Sequence, residues 1–226
     1  TLTLGGNLSL STNTGSFTAN GGTIRFTGNA AQTVNPGLNG VGTPNVFSTI
    51  NIAKTDGSIS FTTNPLTVTS LIQSNSDSFA IIFNENLSVT DAVSFATPGT
   101  VTLGTAVTDT FAFYGGITHT TGATNLAGIL QTSSNPISLA NLTLIGNSTI
   151  NAGTGIVSIS GTTSGLYDLD ITGVTVTLAT VNGLNNLDIS DGAVFNGTVE
   201  VASLAVSGTS AINGASITTT GAQTYT

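Results

Sequence analysis

The chain has 226 residues, of which only 5% are charged, with ten acidic residues against two basic ones (Arg25 and Lys54) and no cysteine. A net charge of −8 without a basic patch excludes the footprint of a nucleic-acid binder and disfavours anionic membranes. The lack of cysteine excludes a disulfide framework and thiolate metal sites.

A mean hydropathy of +0.35 with so little charge describes a folded chain, not a disordered one. Thr, Val and Ile favour strands, Gly and Asn favour turns, and strong helix formers are scarce. The composition therefore predicts an all-β protein. No apolar run approaches the length of a transmembrane helix, so no membrane insertion is expected.

Residues 1–34 alternate, with Leu2, Leu4, Leu8, Leu10, Phe17, Ile24 and Phe26 punctuated by glycines. This reads as short strands and turns. The chain starts within a strand pattern and carries no leader-like segment, which suggests a fragment or a processed product. Ala31-Gln32-Thr33 recurs as Ala222-Gln223-Thr224, 191 residues on (223 − 32), and predicts that the two ends are related units. Residues 35–46 hold Pro36, Gly37, Gly40, Gly42 and Pro44 and predict an irregular loop leaving one coil. Strand patterns resume over 47–73. Residues 79–137 are richest in aromatics, and Phe79, Phe83, Phe95, Phe111 and Phe113 fit a core widened for bulkier side chains. A sugar-binding platform would call for exposed Trp or Tyr, and Trp is absent. Ser133–Pro136 is a second candidate loop.

The most regular repeats lie in 138–226. Leu142-Thr143-Leu144, Leu169-Asp170-Ile171, Leu187-Asp188-Ile189 and Leu204-Ala205-Val206 each put two aliphatics on one face of a short strand. The leading leucines step by 27 (169 − 142), 18 (187 − 169) and 17 (204 − 187) residues. Phe195-Asn196-Gly197 recurs as Ile212-Asn213-Gly214, with Ile150-Asn151-Ala152-Gly153 as a looser copy. Asn196 over Asn213 would form an asparagine ladder at an inner turn, although Asn-Gly is also an ordinary turn dipeptide. A unit this short buries its apolar face only by stacking on its neighbours. The expectation is one elongated domain over 1–226, a parallel β-helix (β-solenoid) with three short strands per coil. The usual crossover rule makes it right-handed. Tandem immunoglobulin-like sandwiches are the alternative, but these repeat about every 100 residues.

Ile156-Val157-Ser158-Ile159-Ser160-Gly161, Leu184-Asn185-Asn186-Leu187-Asp188-Ile189 and Thr218-Thr219-Thr220-Gly221-Ala222-Gln223-Thr224-Tyr225-Thr226 resemble the β-strand repeats of giant bacterial surface proteins, the filamentous-haemagglutinin-like adhesins and related extracellular repeat proteins. The resemblance is strongest over 138–226, and the segment around 36–46 departs from it. It implies a secreted, rod-like β-helix that extends from the cell, adheres, or builds a matrix or filament. It carries no catalytic residues to transfer.

The residues themselves offer few sites. His119 has no Asp, Glu or Cys beside it and reads as structural. Asp168, Asp170, Asp188 and Asp191 cluster, and Asp170 and Asp188 are one coil apart, stacked on an outer face. They are the candidate metal ligands, with Ca²⁺ as the cation that would relieve their repulsion. Stacked carboxylates also suggest the rival function, a β-helix polysaccharide lyase or hydrolase, although no basic residue lies nearby to neutralise a uronate. Thr-x-Thr pairs beginning at Thr1, Thr12, Thr67, Thr100, Thr108, Thr118, Thr175, Thr218 and Thr224 raise an ice-binding reading, but their spacing follows no coil period. Asn7, Asn86, Asn141, Asn147 and Asn196 open Asn-x-Ser/Thr sequons. The leading expectation is a non-catalytic structural or adhesive extracellular solenoid. Its partners would be neighbouring coils or identical subunits end to end, with host or cell-surface carbohydrate as a further ligand. Neither end looks capped, which would favour filament growth.

Overall fold

The computed structural model describes residues 1–10, 20–214 and 216–226. Phe17 and Thr12 lie outside the described residues. Strands and turns make up the described chain, and there is no helix among them. Every strand ladder is parallel, so the sandwich alternative is overturned. A sandwich pairs antiparallel neighbours, and among the described residues the single antiparallel contact is an isolated bridge, Leu38 to Pro44, inside the 36–45 loop.

The chain winds through about eleven coils, each laying strands on three faces. Face A begins at Leu2–Leu4 and Thr23–Gly28 and ends at Ser210–Ile212. Face B runs from Leu8–Ser9 and Gln32–Asn35 to Ile217–Thr219. Face C runs through Leu87–Val89, Thr110–Phe113 and Leu169–Thr172 to Gln223–Tyr225. Alternation supplies the reason. Successive side chains point to opposite sides of a strand, so Leu169 and Ile171 enter the core while Asp170 faces out. Inward positions then stack coil on coil, as in Val157 to Val176 to Ala193.

Coil length varies along the rod and is shortest toward its C-terminal end. Ile24 pairs with Ile50, 26 residues on (50 − 24), Ile117 with Ile137, 20 on (137 − 117), and Ala193 with Ser210, 17 on (210 − 193). The surplus in the longer coils sits at corners. One is the loop predicted over 35–46, which spans 36–45 between Gln32–Asn35 and Val46–Lys54. The wider coils hold most of the phenylalanines, while Phe195 is buried in a 17-residue coil. Phe61 stacks on Phe83 with ring centroids 4.9 Å apart, Phe83 meets Phe95 at 6.4 Å, and Phe95 meets Phe113 at 6.4 Å. All four are buried, as expected of core packing.

Several details of the repeat differ from the sequence reading. Leu142 lies on face B, where it pairs with Thr163, whereas Leu169, Leu187 and Leu204 share face C. The 27-residue step therefore crosses between faces and is not a coil. Asn213 does donate its Nδ2–H to Asn196 Oδ1 at 3.1 Å, but both residues are exposed, so this rung lies outside the core. Asn151 occupies a different corner, where its Oδ1 accepts from its own turn at Gly153. The two Ala-Gln-Thr copies also lie on different faces: Gln32 pairs with Ile59 on face B and Gln223 with Leu204 on face C. They are not equivalent units.

Several polar groups are buried in the rod, and two of them are ionisable bases. Lys54 is fully enclosed, and its ammonium donates to Gly28 O, Ala30 O and Gln32 Oε1 at 3.3, 2.6 and 3.1 Å. Three acceptors match its three protons. Desolvation lowers its pKa, partly offset by Asp56. His119 is the second such group. Its Nε2 faces Thr97 O at 3.2 Å and must donate, so Nδ1 accepts from the Thr124 hydroxyl at 2.9 Å.

Candidate functional site

The acidic residues of the C-terminal half gather on face C. Parallel register places Thr149, Asp170, Asp188, Ala205 and Thr224 in one outward column, one residue per coil. Asp170 lies directly over Asp188, as the 18-residue spacing predicted. Strand spacing sets their backbones about 4.8 Å apart.

Beside this column runs the corner between faces B and C. Asn186 Nδ2 donates to Asp168 Oδ1 at 2.7 Å, and the Ser203 hydroxyl donates to Asn186 Oδ1. Asp168 takes its own place through its backbone N–H, which donates to Asn147 Oδ1 at 3.1 Å. Column and corner together bound a recess of about 350 Å³, and a second of about 210 Å³ adjoins it toward the N-terminus. Asp168 and Asp170 line both, so the two form one groove along the rod axis.

The electrostatics are one-sided. Burial pushes the Asp170 carboxyl above its ordinary value, and the charges of Asp188 and then Asp168 push it further. The chain's two basic residues do nothing to offset this, since Lys54 is enclosed in the core and Arg25 lies on face A of the second coil. Asp191 sits at the bend after Thr175–Ile189 and does not line the groove. Among the described residues, no group of three or more His, Asp or Glu side chains is arranged to hold a metal ion.

An apolar ridge, missed in the sequence, borders the groove. Val107, Ile145, Leu166 and Tyr167 are exposed at the same corner in successive parts of the rod. A Cβ on Gly146 would lie 3.6 Å from Val107, two coils away, and one on Gly183 would lie 3.9 Å from Leu166, so Val107 reaches across the coil of Gly128 and Leu166 leans over the adjacent coil. Gly128, between them, keeps the corner tight. Its φ is +94°, and a Cβ there would meet Asp109 O at 2.4 Å.

His119 is placed far from this groove, in the core against Phe95. The Thr-x-Thr pairs are spread over all three faces, with Thr67 on face C, Thr100 on face B and Thr118 on face A. No helix of the described residues is long and apolar enough to cross a membrane. Comparison with protein-family models, curated proteins and solved structures returns no match for this chain.

Proposed function

We propose that this chain is a structural and adhesive β-solenoid of the cell exterior, working as a rod whose ends engage further coils or identical subunits. One observation carries the reading. The sheet runs unbroken through about eleven coils and ends in strands Ser210–Ile212, Ile217–Thr219 and Gln223–Tyr225, each paired on one side only. An open parallel edge is a template for the next strand. The exterior setting is supported by composition, low in charge and free of cysteine, and by the resemblance to surface-protein repeats. The fold alone assigns no function.

Coils of unequal length do not prevent stacking. Inside the rod, coils of 26 and 17 residues share three continuous faces because corners absorb the difference. A head-to-tail contact between copies would use the same tolerance. It is a heterologous interface that does not close, and it would grow a filament. Light scattering across a concentration series tests this, with growth in mass expected.

A second reading, a polysaccharide lyase or hydrolase, is favoured by the stacked Asp170 and Asp188 in a groove. Saccharide release from acidic and neutral polysaccharides separates the two. Turnover lost in Asp170→Asn or Asp188→Asn would replace the structural reading with the enzymatic one.

A further inference from the structure

The groove on face C and the ridge beside it combine two features that are usually kept apart on a surface. Asp168, Asp170 and Asp188 put three carboxylates along one groove with no cation near them. Leu166 is 75% exposed and Val107 57%, with Ile145 and Tyr167 also open to solvent. Scattered exposed aliphatics are ordinary, but a contiguous ridge rimmed by polar groups marks an interaction surface.

We infer that groove and ridge form a docking surface for an extended, basic segment of another protein, with apolar residues between its lysines or arginines. This deepens the adhesive part of the proposed function and rests on it. Charge complementarity selects the occupant. Three uncompensated carboxylates call for a cationic partner, and the ridge calls for one that also carries aliphatic side chains. A second copy of this chain fits poorly, because it would bring only the half-buried Arg25. A neutral glycan would leave the carboxylate charge uncompensated and would meet aliphatics with a single tyrosine, not an aromatic platform.

The geometry favours an extended segment. The groove runs along the rod, and its column carboxylates repeat at about the coil spacing of 4.8 Å. Alternate side chains of a strand lie about 7 Å apart on one face. Basic side chains at alternate positions can then reach Asp170 and Asp188, while the apolar ones between them turn toward Leu166 and Tyr167.

The probe is a capped heptapeptide of alternating Lys and Val, titrated against the 226-residue chain at low salt by calorimetry and by tyrosine fluorescence. With no tryptophan the emission comes from the three tyrosines, and a Tyr167→Phe control isolates the part that Tyr167 contributes. The expected result is saturable binding that weakens at least tenfold in Asp170→Asn/Asp188→Asn and, separately, in Leu166→Ser/Tyr167→Ser. A Lys-Ser peptide of equal charge should bind at least tenfold more weakly than the Lys-Val one. Circular dichroism confirms that each variant is folded, and the carboxylate pair, being exposed, remains testable if the ridge pair is not. No binding would overturn the inference. So would equal binding of the two peptides, indifference to the ridge substitutions, or preferential binding of a neutral cello-oligosaccharide. Rod assembly measured on the same variants keeps the two ideas apart: the recess reaches Thr224, but the substituted Leu166, Tyr167, Asp170 and Asp188 lie at least two coils from the terminal strand edge on which growth depends.

Discussion

Asn141 accepts a hydrogen bond on its Oδ1 from the backbone N–H of Thr162, 21 residues on and one coil away, at 2.9 Å. The same bond recurs from Thr33 to Asn7 at 2.8 Å, from Thr110 to Asn86 at 2.7 Å and from Asp168 to Asn147 at 3.1 Å. These asparagines sit at the corner before a strand and pin the start of the next coil. In Asn7-Leu8-Ser9, Asn86-Leu87-Ser88 and Asn141-Leu142-Thr143 the Leu then points in and the Ser or Thr points out. The sequon pattern is thus a by-product of a pinned, alternating strand.

Replacing Asn141 by Leu removes the acceptor and should cost about 1 kcal/mol, the usual net worth of one hydrogen bond. Asn141→Asp keeps an acceptor and should cost less. Denaturant melts of the two variants check the order. Equal losses would mean that the pin contributes nothing.

How much of this was legible in the sequence follows from the corners. Leu169, Leu187 and Leu204 fall on one face because their coils have tight corners of nearly constant length. Upstream, corners such as 36–45 take up extra residues, so the period drifts while the register of the faces persists. Leu142 was misplaced because Leu-x-Leu looks the same on any face. Asp170 over Asp188 was readable from spacing alone. Asp168 was legible as a member of the acidic cluster, but its bond to Asn186 and the ridge from Val107 to Tyr167 were not, because they sit at corners where the two-residue alternation lapses and only three-dimensional winding brings them together.

His119 should make stability fall on mild acidification. Burial holds its imidazole below the ordinary value, partly offset by the backbone carbonyls of Thr97 and Gly99. The unfolded chain then binds the proton more readily, so the His119 contribution is complete above an unfolded pKa of about 6.5 and declines as pH drops through it. The groups against the ring are Thr97, Thr124 and Phe95, and none carries a charge. It is the chain's one histidine, and the comparison with His119→Gln separates its effect from that of Asp170. Melting temperatures from pH 8 to 5 should drop for the natural chain and stay flatter for His119→Gln. A flat profile for both would contradict the enclosure of the ring.

Asp170 should act in the opposite direction. Its folded pKa is raised by burial and by Asp188 and Asp168, so protonation favours the folded state. The stabilisation is complete below the unfolded value and is lost as pH rises through the folded one. Asp170→Asn should therefore be more stable than the natural chain at pH 7 and equal to it near pH 3. The gain is small, under about 1 kcal/mol, because the pair is exposed to solvent. A loss of stability at pH 7 would show that Asp170 makes a favourable contact instead.

Thr163 carries a buried hydroxyl without a hydrogen-bond partner. It stacks between Leu142 and Val181 in the inward column of face B. Thr163→Val keeps the shape and removes the unpaired group, and should stabilise by about 1 kcal/mol. Thr163→Ser keeps the hydroxyl and loses a methyl, and should destabilise. Thermal melts of the pair check both signs, and destabilisation by valine would mean that the hydroxyl is satisfied in solution.

The open strand edges are proposed to engage further coils or identical subunits, so in the 226-residue chain on its own they should drive end-to-end association. Negative-stain microscopy over a concentration series tests it most directly, comparing the natural chain with Gln223→Lys/Tyr225→Lys. Both substitutions fall at inward-facing positions of the last strand on face C, opposite Leu204 and Val206, and place charge on the stacking surface. Eleven coils at about 4.8 Å make a unit of about 50 Å. The account predicts natural rods that lengthen in multiples of that unit as concentration rises, and variant rods that remain at one unit. Natural rods of one unit at every concentration would contradict it.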